Sequence, residues 1–133
     1  MKKSQAFAAF RSSLIADYQA QVMSDLVPQF NAEMQDIRTN WEEEFRSNEA
    51  IADHRRRARE ADLQIRRQDF LESINNDFRL AQTARINEYG GKIEEIEVER
   101  NGKKKKILNA TFPDNSEAVV PNAVWIDFGV FYR

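Results

Sequence analysis

Apolar side chains recur at Phe7, Phe10, Leu14, Tyr18, Val22 and Leu26, and again at Phe30, Met34, Ile37, Trp41 and Phe45. Steps of three and four residues place all of them on one face of a helix. The spacing averages about 3.8 residues, longer than the 3.6 of a straight helix, so the stripe drifts around the cylinder and something must absorb the drift. Pro28 is the expected place, because it removes a backbone donor and crowds the preceding turn, which predicts a kink or break in this first arm.

The pattern pauses at Arg46-Ser47-Asn48-Glu49, where Ser47 or Asn48 can cap a new helix. Two arms result, residues 4–46 and 49–89, each about 60 Å long at 1.5 Å per residue. Folded back on each other as an antiparallel hairpin, they bring Leu26 opposite Phe70, Val22 opposite Ile74 and Tyr18 opposite Phe78, pairs whose numbers sum to 96. Leu14 then meets Ala81, Met34 meets Ala61 and Ile37 meets Ala58, so the two stripes are in phase.

Residues 1–89 contain no glycine, and Gly90-Gly91 marks the change to a different periodicity. Lys92 to Arg100 and Lys103 to Phe112 are strand-like and flank Asn101-Gly102, whose residues accept the positive φ of a two-residue hairpin turn. The implied register sets Glu99 against Lys104, Glu97 against Lys106 and Ile96 against Ile107. Pro113-Asp114-Asn115-Ser116 is turn chemistry, and Ala118–Val120 and Val124–Tyr132 suggest further strands. The expected fold is α+β: a long helical hairpin over 1–89, coiled-coil-like in its pairing, with a three- or four-stranded antiparallel sheet over 90–133 packed at its base as one structural unit.

Composition narrows the chemistry. The 133 residues include no cysteine, which removes disulfides, thiolate metal sites and thiol nucleophiles. Net charge is −2, so no global attraction to nucleic acid or anionic membrane follows, and a 32% charged content suits long wet helix faces. Met1-Lys2-Lys3 leads into Ser4, Gln5, Arg11 and Asp17 without the apolar run of a secretory signal, and no stretch has membrane-spanning length. The expected setting is the cytoplasm or a particle assembled inside the cell.

Candidate chemistry is sparse. His54 is the only histidine and has no second ligand beside it, so neither a metal site nor a general base is assigned. Consecutive helical glutamates, Glu42-Glu43-Glu44, point about 100° apart and read as a charged face. No phosphate-cradling glycine loop, zinc spacing or nucleophile beside a base occurs, so the expectation is a non-enzyme with no cofactor and no small-molecule substrate. Arg55, Arg56, Arg59, Arg66 and Arg67 form the one conspicuous basic set, readable as a contact for nucleic acid or an acidic partner. Interleaved Asp53, Glu60, Asp62 and Asp69 favour instead a solvated, ion-paired helix face, with some guanidinium groups over Trp41.

A two-helix hairpin encloses little volume, and the aromatic residues offer more surface than one partner helix covers. Phe30, Trp41 and Phe45, with Trp125, Phe128, Phe131 and Tyr132 on both faces of the last strand-like segment, are therefore the expected protein interface. The leading expectation is a structural or assembly protein that forms a homo-oligomer or docks into a larger complex, such as a virion or phage assembly component. The alternative is a small inhibitor or adaptor that presents its arginine-rich helix to nucleic acid or an acidic protein.

Overall fold

The computed structural model describes residues 1–124. The segment 125–133, which carries the candidate fourth strand and Trp125, Phe128, Phe131 and Tyr132, lies outside the described residues. The architecture is α+β: a helical stretch from Lys3 to Phe45, a second long helix, and a three-stranded antiparallel sheet. Two compact units divide the described residues, one built from Met1–Gln19 with residues 74–124, the other from Ala20–Ser73.

Helix α1 spans Lys3–Gln21 and α2 spans Val27–Phe45, with a π-helical turn at Val22–Leu26 between them. Pro28 neither ends the helix nor stops the chain from continuing helically. It sits in the first turn of α2, where a missing N–H costs little, and the irregularity falls just ahead of it. There the Val27 N–H reaches back to the Val22 carbonyl, one residue further than an α-helix allows. The wide turn thus takes up about half of the roughly two-residue drift that the apolar spacing accumulates over the arm.

Helix α3 spans Glu49–Glu88. Asn48 begins it: its Oδ1 accepts the Ile51 N–H at 3.2 Å and its carbonyl accepts the Ala52 N–H at 3.0 Å, the arrangement of an N-cap. At the far end the Gly91 N–H bonds the Ile86 carbonyl at 2.9 Å and the Gly90 N–H bonds that of Asn87 at 3.0 Å. This is a Schellman closure, with Gly90 taking the left-handed φ of 74° that such a stop needs.

The sheet has the order β1 (Lys92–Arg100), β2 (Lys103–Thr111), β3 (Glu117–Val120). Asn101 and Gly102 turn with φ of 55° and 75°, and the register is the expected one: Glu99 faces Lys104, Glu97 faces Lys106, Ile96 faces Ile107. Because β3 pairs only with Leu108–Thr111, the outer halves of β1 and β2 run on as a two-stranded ribbon.

The first unit's core collects Phe7 from α1, Ile86 from α3, Ala110 and Val120 from the sheet, and Phe112 just after β2. Phe10, Tyr89, Ile93, Leu108 and Ala118 pack around them. The Phe7 and Phe112 rings lie 6.0 Å apart, and Tyr18 meets Phe78 edge-on at 6.3 Å, the facing pair expected from the stripes. Gln82 is fully buried and donates to the Pro121 carbonyl at 2.9 Å, while Asn75 Oδ1 accepts the Val124 N–H at 2.9 Å. These bonds fasten the segment after β3 to α3.

The β2–β3 turn caps α1. Asp114 Oδ2 accepts the Lys3 N–H at 2.7 Å and Ser116 Oγ accepts the Ser4 N–H at 3.1 Å, satisfying donors that an isolated helix start leaves open. The Ser116 N–H and hydroxyl in turn hold Asp114 Oδ1. Together with the Lys3 backbone N–H, the leading cause, they lower the Asp114 carboxyl from 3.8 to about 2.

Candidate interaction site

The second unit holds the residues singled out for contact. Its buried cluster is small: Phe30, Ile37 and Leu63, with Val27 and Met34 packed against it. Phe30 is 2% exposed and belongs to this cluster, so its ring is not offered to a partner. Trp41 is half-buried; its indole N–H donates to Asp53 Oδ1 at 2.8 Å and its ring lies 5.0 Å from that of Phe45, which is 40% exposed. Of the three helical aromatics expected at an interface, Phe45 presents the most surface.

The arginines are committed to the chain itself. Arg55 and Arg59 both reach Glu44 Oε1, at 3.3 and 3.6 Å. Arg56 lies 5.6 Å over Trp41 and 3.9 Å from Asp53, and Arg67 lies 5.6 Å over Phe30. Arg66 bridges Glu33 at 2.9 Å and Asp62 at 3.1 Å, and the bond to Glu33 is the main reason its guanidinium holds its proton more tightly than usual. The set is thus brought together, but as stitching between α2 and α3 and as cover for aromatic rings. His54 is an exposed residue of α3.

A groove of about 460 Å³ opens along one side of this unit, lined by Glu33, Asp36, Ile37, Asn40, Ala58 and Arg59 among others. A second hollow of about 340 Å³ lies nearer the α2–α3 turn, between Glu43 and Glu44 on one flank and Ile51 and Arg55 on the other. The α3 flank carries Ile51, Ala58 and Ile65 at intervals of seven residues, all exposed, Ile51 at 47% and Ile65 at 60%. A seven-residue repeat of apolar positions is the seam of a helix that packs against another helix. Sequence reading passed over it because the stronger stripe on α3 belongs to the core, and a second, weaker stripe shows only once the first has been assigned.

The β ribbon of the first unit has two different faces. One carries Glu95, Glu97 and Glu99 with Lys104 and Lys106, and Lys106 pairs with Glu95 at 3.8 Å. The other carries Ile96, Val98 and Ile107 with Arg100, Lys103 and Lys105, none of which makes an ion pair among the described residues. Strand alternation was sufficient to predict this division, since only every second lysine faces a glutamate.

Among the described residues no three histidine or carboxylate side chains gather as a metal-binding group, and no helix is long and apolar enough to cross a membrane. Tyr18 is shifted upward by burial and by the nearby Asp77 carboxylate, away from any reactive range. No protein-family profile, no curated protein and no solved structure matches this chain.

Proposed function

We propose that the protein is a non-enzymatic assembly subunit whose two helical arms form one antiparallel hairpin and whose α2–α3 region is completed by another polypeptide. The single observation that carries this reading is the mismatch in the second unit between what it buries and what it leaves out. Among the described residues its buried apolar side chains are Val22, Phe30, Ile37, Ala52 and Leu63, two of them small, while Ile65, Met23, Ile51 and Phe45 remain between 40% and 60% exposed. Isolated exposed apolar residues are ordinary, but here Ile51 and Ile65 stand at heptad spacing about Ala58, and Ile51 and Ala58 line the two hollows.

The hairpin is supported within each unit separately. In the first, Phe7 clusters with Ile86 and Tyr18 meets Phe78; in the second, Glu33 pairs with Arg66 and Glu44 with Arg55. In both, the partner's number falls as the residue number rises.

Size-exclusion chromatography with light scattering on the full chain tests the function. The expected mass is a multiple of 15.5 kDa. A monomer at every concentration, with no partner retained and with nucleic-acid affinity that falls steeply with salt, overturns it in favour of a regulatory binder.

A further inference from the structure

We infer that the grooved side of the second unit is a homodimer interface, in which a second copy packs across it about a two-fold axis running parallel to the helices. This rests on the assembly reading and names its partner and geometry.

Charge and level select the occupant. On the grooved side, α2 contributes Glu33, Asp36, Glu43 and Glu44, and α3 contributes Arg55, Arg59 and Arg66. One flank is acidic and the other, apart from Asp62, is basic. A two-fold axis along the helices lays the acidic flank of each copy on the basic flank of the other, whereas an axis across them sets like charge on like. Glu33 pairs with Arg66 and Glu44 with Arg55, so a two-fold that preserves height brings Asp36 level with the Arg59–Arg66 stretch and Glu43 level with Arg55–Arg59. Asp36 and Glu43 carry no ion pair within the described residues of their own chain, which leaves them to serve the neighbour. Ile51 and Ala58 supply apolar surface on the grooved side, and the small side chain of Ala58 permits close helix approach. Two helices from each copy then make a four-helix layer, which covers the small Phe30–Ile37–Leu63 cluster from the groove side.

Complementary charge reversal provides the test. Asp36→Lys with Glu43→Lys cancels the net negative charge of the α2 flank, where Glu33 and Glu44 remain, and sets lysines against the neighbour's arginines; Arg55→Glu with Arg59→Glu makes both flanks acidic. Sedimentation velocity on the full chains should give twice the monomer mass for the wild type, half of that for each variant alone, and the dimer mass again for an equimolar mixture of the two. Circular dichroism verifies that both remain helical. Should the arginine variant lose helix because Glu44 is stranded, Ala58→Glu, a change at an exposed site that lines the groove, takes its place and should by itself halve the mass. Variants that keep the wild-type mass overturn the interface while leaving assembly standing, and so does a mixture that stays monomeric. A wild type that is monomeric throughout overturns the dimer, and recovery of a different bound protein would then leave only the broader assembly reading.

Discussion

Phe7 and Phe112 meet in the first unit with Ile86, Ala110 and Val120 buried beside them, whereas Phe30 in the second clusters with Ile37 and Leu63 among the described residues. The first unit closes two helices over one face of a sheet; the described residues of the second are two helical segments. The second makes up part of the difference with polar stitching, placing Arg56 and Arg67 over aromatic rings and tying Glu33 and Glu44 to α3. Such contacts add little where water reaches them. The contrast suggests that one region specifies the fold and the other is left to be finished by association.

The largest expected effect is therefore in the first core. Phe112→Ala should cost about 3–5 kcal/mol in urea unfolding, a large part of what holds a chain of this size together. Leu63→Ala in the second unit should cost about 2 kcal/mol, the low end for a buried leucine, because a thin two-helix layer can collapse into the gap. Equal losses at the two sites would erase the distinction between a closed and an open core.

Gly91→Ala comes next. A Cβ at that position would lie 2.9 Å from Ile86 Cγ2 and 3.0 Å from the Phe112 ring, so either the helix end or the sheet must move. Overpacking of this kind costs about 1–3 kcal/mol. Gly102→Ala makes the control, since its Cβ would meet nothing and the change is confined to turn strain. If the two substitutions prove equally mild, the closeness of α3 to β2 is not what holds the first unit.

How much of this was legible in advance varied with the range of the interaction. Asn101-Gly102 and the alternation around it determine the β1–β2 register, because a two-residue turn leaves no other pairing. Asn48 as a cap and an arginine over Trp41 follow from neighbours in sequence or across one helix pair. The drift of the first arm was visible, but the kink or break was expected at Pro28; the helix instead widens just ahead of the proline, at Val22–Leu26, and tolerates the ring in the first turn of α2. The cap of α1 by Asp114 and Ser116 was beyond reach, since it joins residues more than a hundred positions apart. Phe30 read as an interface residue for a related reason. The length of a stripe shows that aromatic side chains need cover, but only the packed helices show which ring is covered from within.

Trp41→Phe is a smaller perturbation and touches only the second unit. It keeps a ring beneath Arg56 but removes the indole N–H that donates to Asp53, a partly buried bond. The loss should be about 0.5–1.5 kcal/mol, the net worth of one such hydrogen bond. A cost approaching that of Phe112→Ala would mean that polar stitching, not the small apolar cluster, is the principal support of α2 on α3.

The subtlest effect is confined to acid and to the first unit. Asp114 titrates at about 2 in the fold against an ordinary 3.8, held down first by the Lys3 backbone N–H and then by Ser116. Because the folded value is the lower one, the carboxylate's contribution is complete above about 3.8, shrinks as pH falls towards 2 and is gone below it. The thermal midpoint of the wild type should therefore exceed that of Asp114→Asn at pH 6, and the two curves should converge between pH 4 and about 2. Hydrogen exchange locates the cause: the Lys3 and Ser4 amides should lose protection over that window, while amides of α2, which Asp114 does not touch, should not follow in step. A gap between wild type and variant that persists undiminished at pH 2 would show that the side chain's shape, and not its charge on the start of α1, is what the turn supplies.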